Sequence, residues 1–276
     1  MDIYTAQYRY KGDDRLDITV KGGDDIGKTF APTWEMVNKY KAGTMSEEYY
    51  TDLYQNLMNS RWEEQKKYYK TTFDMVAKGK GTVTLVCFCP SGAFCHRVIL
   101  AEGLDNLGGN YLGEKNISKA ADNYVSGNIM DIENGIICHQ VNCQGKMAAG
   151  LAGKIALKWP NVENTYIGMC SKNRKYKNKN PMLGQTQIVQ AGENLYIANL
   201  FGQEYYGRTG RYTDYVALRQ AMNRLLEWKE AHSAIFNGEL PVYFPYKMSC
   251  GLAGGDWYLV KSMIRNIFPE ATILKK

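Results

Sequence analysis

The stretch that decides the fold runs from Gly127 to Gly153, GNIMDIENGIICHQVNCQGKMAAGLAG. It reads as a short strand, a turn at Glu133-Asn134-Gly135, and a buried strand over Ile136–Val141. A polar, glycine-bearing loop from Asn142 to Gly150 then feeds an amphipathic helix carrying Leu151, Ile155 and Trp159 on one face. Small residues between a strand end and a helix start let backbone N–H groups approach a phosphate, with the helix dipole behind them. A second loop of the same character, Ser249-Cys250-Gly251-Leu252-Ala253-Gly254-Gly255, again separates a strand from a helix. Two such loops in one domain point to a diphosphate ligand.

Outward from this stretch, strands are expected at Val125–Asp131, 184–190, 195–201, 242–246 and 271–274. Helices are expected after Gly150, at 213–231 and at 256–268. Strands interleaved with amphipathic helices predict an α/β fold with a mixed or parallel sheet covered on both faces, and ligands in such folds bind outside the carboxyl ends of strands. The N-terminal part starts loop-rich. A short strand over Leu16–Val20 and a turn at 21–25 precede a helix opened by Pro32 and stopped by Gly43. A long helix from Ser46 to about Lys70, a break at 79–81 and a central strand over Thr82–Phe88 follow. The pattern lapses between Gly108 and Asp122. The expected organisation is therefore an α/β domain over 1–115, a linker over 116–122 and a second domain over 123–276.

Forty-five per cent hydrophobic and 22% charged residues exclude a disordered chain. No apolar run approaches the ~20 residues that span a bilayer, and Met1–Thr5 lacks the features of a signal peptide. A cytoplasmic protein with no membrane partner is expected. Seven cysteines, at 87, 89, 95, 138, 143, 170 and 250, are read as reduced thiols. Of the +6 net charge, five cations fall within 172–179, a solvated loop by default or a contact for nucleic acid.

Asn142 ends the buried strand, where its amide offers a donor and an acceptor to a ribose hydroxyl or simply turns the chain. His139 shares a strand face with Ile137 and Val141, the usual setting of a core histidine. Asp256 precedes the last helix as its N-cap; a carboxylate there could also orient water. In the first domain, Cys87-Phe88-Cys89 and Cys95-His96-Arg97 flank a loop after the central strand. The spacing fits no standard zinc finger, and adjacent Cys95 and His96 are poorly placed to share one ion, so no metal or cofactor is expected. A helix start carrying His96 and Arg97 would lower a thiol pKa and attract an anion, which makes Cys95 a candidate nucleophile beside the plainer structural thiol.

These residues carry a resemblance. Gly127-Asn128-Ile129, the segment His139–Gly145 with Gly150-Leu151-Ala152, the loop Ser249–Gly254, and Asn199-Leu200-Phe201 resemble the motifs of macro domains, the ADP-ribose-binding modules of three-layer α/β/α architecture with a mixed central sheet. The resemblance covers about 123–276. Within the family it is closest to branches acting at the 1″ position of ADP-ribose, the 1″-phosphate phosphatases above all. It implies ADP-ribose or a derived nucleotide as ligand, with ADP-ribosylated protein or nucleic acid as further partners. The ligand contacts it implies are Asn128, Ile129, Asn142, Gly145, Ala149, Gly150 and Leu151 on the first side. Ser249, Cys250, Gly251, Leu252, Ala253, Gly254, Phe201 and Tyr206 make up the second. It also raises His139 to a candidate acid/base beside Asp256 and Asn142. Three departures stand out: Asn128 replaces an aspartate, Ala148-Ala149 replaces part of a glycine run, and Gln203 and Ala253 stand where the glycohydrolase branch has a lysine and an aspartate. An amide forms no Schiff base; a non-catalytic reader is the alternative. Residues 1–115 resemble the uncharacterised domain of unknown function family 488, through Arg15–Thr19, Pro32–Glu35, Val86-Cys87, Cys95–Arg97 and Tyr111–Glu114. That likeness carries no reaction.

Overall fold

A computed structural model describes residues 1–22, 25–77, 81–115, 124–173, 180–236 and 240–276. The expected linker 116–122 and most of the basic loop, 174–179, lie outside the described residues. The chain divides into two compact units, Met1–Ser118 and Lys119–Lys276. No described helix is long and apolar enough to cross a membrane.

The first unit is built on a four-stranded sheet in the order β2-β3-β1-β4, with every neighbouring pair parallel. Its strands are β1 (Asp2–Gln7), β2 (Arg15–Asp17), β3 (Thr82–Cys87) and β4 (Asn110–Lys115). Two of them correct the sequence expectation. The start of the chain is a central strand, not loop: Ile3 and Ala6 are fully buried between β3 and β4. The lapse after Gly108 holds an edge strand, in which Tyr111 and Glu114 are buried. Neither strand has the Val/Leu-rich run that marks β3, and mixed polar residues hide a strand whose burial comes from distant partners. Four helices accompany the sheet: α1 (Asp25–Lys28), α2 (Trp34–Lys41), α3 (Glu47–Ala77) and α4 (His96–Asn106). Helix α2 starts at Trp34, two residues after Pro32, because Thr33 is the cap and accepts from Met36 N–H. Helix α4 packs on β1, β3 and β4.

The second unit has a six-stranded sheet in the order β5-β10-β9-β6-β8-β7, parallel except for the antiparallel β7–β8 pair. The strands are β5 (Val125–Ser126), β6 (Gly135–Asn142), β7 (Thr186–Gln190), β8 (Leu195–Gln203), β9 (Val242–Pro245) and β10 (Thr272–Lys275). The expected strand 125–131 is shorter, giving way to a 3-10 turn at Ile129–Asp131. Helices α5 (Gly150–Lys158) and α6 (Pro160–Asn173) cover one face. Ile137, Val141, Ile197 and Phe201 meet Ile155, Trp159, Val162 and Tyr166 there in one core. The opposite face carries α7 (Tyr215–Ala231), which packs on β7, β8 and α8 (Trp257–Ile267). The helix after Gly150 is thus two helices. Proline disfavours the α conformation in the residue before it, and Trp159, at φ −130° and ψ 79°, leaves the helix just before Pro160 opens the next. The result is a three-layer α/β/α sandwich with a mixed sheet.

Candidate functional site

Strands β6 and β9 are neighbours, so the loops that follow them emerge side by side at the carboxyl ends of parallel strands. Between them lies a cleft of about 330 Å³, within the ~300–1,000 Å³ usual for small-molecule sites. The first loop contributes Asn142, Lys146 and Ala148–Ala152; the second contributes Pro245–Ser249 and Gly251–Ala253; His139, Gln140, Val141, Gln203, Tyr206 and Gly207 complete it.

The first loop is held by Asn142. Its Oδ1 accepts from Gln144 N–H at 2.9 Å and Lys146 N–H at 3.3 Å, while Nδ2 donates to Lys146 C=O at 2.7 Å. The buried Tyr166 hydroxyl lies 2.6 Å from Asn142 C=O and 2.9 Å from its Oδ1. Asn142 therefore builds the loop: the amide expected to reach a ribose is already engaged. Gly145, at φ +72°, makes the turn, and the chain then enters α5 through Ala149, whose side chain provides no cap. The first-turn N–H groups of Gly150, Leu151 and Ala152 have no intrahelical acceptor, and these residues line the cleft. An uncapped helix start with Lys146 and Lys247 on the cleft wall favours an anion.

The second loop is strained where it meets the cleft. Lys247 and Ser249 have φ of +57° and +67°, conformations that cost a non-glycine residue ~1–3 kcal/mol and concentrate at ligand clamps. Thr213 Oγ1 donates within the same junction, to Ser249 C=O at 3.0 Å. Gly254, at φ +66°, lies so close to Gly210 that an added Cβ would sit 2.7 Å from its carbonyl oxygen.

Three buried polar atoms on cleft residues have no partner: His139 Nδ1, Gln140 Oε1 and Ser249 Oγ. Each such atom costs ~1–3 kcal/mol. The state of His139 follows from its neighbours. Asn199 Nδ2 donates to Gln187 Oε1 at 2.9 Å, so Asn199 Oδ1 is an acceptor, and His139 Nε2 donates to it at 2.6 Å. The proton therefore sits on Nε2, and Nδ1 keeps its lone pair. Burial pushes the His139 pKa down to about 4, only partly offset by the bond to Asn199. It is neutral at neutral pH.

Of the expected site residues, His139, Asn142, Ala149, Gly150, Leu151, Tyr206, Ser249, Gly251, Leu252 and Ala253 converge on the cleft. Others do not. Asp256 caps α8, accepting from Tyr258 N–H at 2.8 Å, and is not among the residues lining this cleft. Phe201 and Ile129 belong to the core under α5 and α6. Asn128 caps the 3-10 turn and donates to Asp131 Oδ1 at 3.0 Å. Cys250 turns its thiol to Met248 C=O at 3.0 Å, and burial raises its pKa to about 12. Gly145 and Gly254 shape the loops from behind. Sequence reading missed Gln140, Lys146, Tyr246 and Lys247 as cleft residues. The period-2 register of β6 could have signalled Gln140; the lysines look like any surface lysine.

In the first unit, Arg97 is fully buried, donating to Cys89 C=O at 2.9 Å, Pro90 C=O at 3.0 Å and Glu114 Oε1 at 2.7 Å. His96 places Nε2 3.0 Å from Ile18 C=O and Nδ1 3.9 Å from Cys95 Sγ. Burial opposes ionisation of Cys95. The Cys87 and Cys89 thiols and the charges of Arg97 and His96 outweigh it and hold the Cys95 pKa well below the usual thiol range.

The fold and cleft define an α/β/α unit with a two-loop cleft at the ends of parallel strands. Comparison with known proteins finds likenesses for both units. Residues 2–108 match the family model DUF488-N3a, described as the active DUF488-N3 subclade. The chain is 31% identical over 116 residues to an ADP-ribose 1″-phosphate phosphatase of Saccharomyces cerevisiae (strain YJM789), covering 39% of this chain and 62% of that protein. It is 23% identical over 133 residues to an ADP-ribose 1″-phosphate phosphatase of Candida albicans, covering 47% of this chain and 80% of the other. The chain thus spans about three fifths of the length of the Saccharomyces relative. The macrodomain of Mycobacterium tuberculosis DarG is similar over 55% of this chain and 94% of its own, at 19% identity and a TM-score of 0.44. The C-terminal unit resembles macro domains, and the N-terminal unit resembles the family 488 domains.

Proposed function

We propose that the C-terminal unit binds ADP-ribose or a derivative in the cleft between the β6 and β9 loops and hydrolyses a bond at the distal ribose 1″ position. The observation that carries this reading is the convergence on one cleft of an uncapped helix start and three residues that each keep one unpartnered buried polar atom. The first meets a diphosphate; the others meet hydroxyls of a sugar. Relatives named for ADP-ribose 1″-phosphate dephosphorylation support the substrate class. In that reaction a water oxygen adds to phosphorus, the P–O bond to C1″ breaks, and a proton reaches the leaving sugar oxygen. His139 Nδ1, with its lone pair, takes the water's proton; at neutral pH it cannot start as the acid. A modified protein or nucleic acid would present the same distal ribose.

One observation favours the second reading, a reader that binds without turnover: no carboxylate lines the cleft among the described residues. Calorimetry with ADP-ribose tests the shared premise, and absence of saturable binding at millimolar ligand refutes both readings. Phosphate release from ADP-ribose 1″-phosphate, and ADP-ribose release from modified protein or DNA, separate them. Turnover that falls at least ten-fold in His139→Gln with binding retained supports the enzyme. Binding without turnover of any of these substrates leaves the reader.

A further inference from the structure

The three thiols of the first unit form a cluster that the cleft chemistry does not use. Cys87 is the last residue of β3, and Cys89 lies two residues on, in the bend that follows the strand. Cys95 occupies the N-cap position of α4, after a loop turned by Gly92 at φ +72°. The three sulfurs all lie within 4.8 Å of one another, and Cys87 and Cys89 are 3.8 Å apart. A disulfide would bring a pair to about 2.05 Å. Four-coordinate zinc with Zn–S bonds of about 2.3 Å places neighbouring sulfurs about 3.8 Å apart. The Cys87–Cys89 separation matches that spacing and not a disulfide's, and the third sulfur lies within 4.8 Å of both.

We propose that Cys87, Cys89 and Cys95 bind one zinc ion as three thiolate ligands. The surroundings are those of a built site. Arg97 clamps the carbonyls of Cys89 and Pro90 from a fully buried position, so the loop that carries Cys89 is fixed without the ion. Arg97 is itself fixed by its ion pair with Glu114, both side chains fully buried. His96 is oriented by the contact between its Nε2 and Ile18 C=O. Backbone and carboxylate partners of this kind orient the groups around protein-bound metals. Three thiolates with one divalent zinc leave a single negative charge, next to the Arg97 guanidinium and the start of α4. Soft sulfur ligands select zinc over magnesium or calcium. The spacing C-x-C-x5-C matches no finger motif because the third ligand comes from the helix that a parallel strand feeds, so that tertiary packing, not a short knuckle, closes the set. Three protein ligands leave the fourth position open, and Cys89, the half-exposed member, marks its solvent side.

The experiment uses the full chain, reduced, stripped with a chelator and titrated with Zn²⁺ or Co²⁺. We expect one equivalent per chain by elemental analysis and, with Co²⁺, an intense sulfur-to-cobalt charge-transfer band. Cys87→Ser, Cys89→Ser and Cys95→Ser each abolish that band, whereas Cys138→Ser, in the other unit, retains it. Should a serine variant fail to fold, peptide-level alkylation of the wild-type protein decides the matter: zinc is expected to slow modification of all three thiols at least ten-fold. Alkylation of 87, 89 and 95 that is unchanged by zinc overturns the proposal. So does a cobalt band that survives the three serine substitutions, or a disulfide among these cysteines that persists under reductant and excludes zinc.

Discussion

Protonation of His139 is a perturbation whose cost can be worked from the structure. In the unfolded chain the imidazole has a pKa near 6.5; in the fold, burial holds it at about 4. Above about pH 6.5 both states are neutral at this residue and its contribution is complete. As pH falls below that value the unfolded chain takes up a proton that the folded chain refuses, so stability drops. The loss continues until the folded pKa is passed. A gap of about two and a half units corresponds to about 3 kcal/mol, nearly all of it lost by about pH 4. The assay is urea unfolding across this range for wild type and His139→Gln, whose amide can still donate to Asn199. Other groups titrate equally in both proteins, so the difference between the two curves isolates residue 139. It should shift in favour of the variant by about 3 kcal/mol between roughly pH 7 and 4. A difference that stays constant with pH refutes the tautomer and burial argument, and with it the neutral base at the cleft.

Three further outcomes follow from the geometry. Tyr166→Phe removes the hydroxyl at 2.6 Å from Asn142 C=O; it should cost ~1–3 kcal/mol in urea unfolding and weaken ADP-ribose binding in calorimetry, because the first loop loses its anchor. Gly150→Ala and Gly254→Ala form a matched pair: both positions have positive φ, but an added Cβ meets nothing at 150 and lies 2.7 Å from Gly210 C=O at 254. The first should show only the left-handed cost of ~1–2 kcal/mol, and the second a clearly larger loss of thermal stability. Glu114→Ala strands the Arg97 charge inside the first unit and should cost ~3–5 kcal/mol, measured by denaturant unfolding of the full chain.

Strand β6, its loop and α5 are legible in the sequence because each announces itself locally: a run of buried aliphatics, then glycine and small residues, then helical spacing. The break at Pro160 is equally local, since Trp159 directly before the proline leaves the helix and Pro160 opens the next. Strands β1 and β4 were missed for a different reason. Their residues are ordinary, and they are strands because each lies beside a partner far along the chain: Asp2 beside Thr82 and Asn110. Asp256 shows the limit of reading a lone acid near a loop. The same carboxylate suits a cap or a catalyst, and only the structure shows that it accepts from Tyr258 N–H as a cap.

By itself the sequence determined that two strand–loop–helix segments would each present small residues and backbone donors at a helix start. Those are properties of neighbouring residues. That the loops form one cleft was decided by β6 pairing with β9, a contact across roughly a hundred residues that no local pattern encodes. The same holds for three sulfurs gathered from a strand end and a helix start. The unpartnered atoms of His139, Gln140 and Ser249 acquire meaning only once packing has removed water from around them. A side chain's type is written in the chain; what surrounds it is a consequence of the long-range contacts that close the sheet.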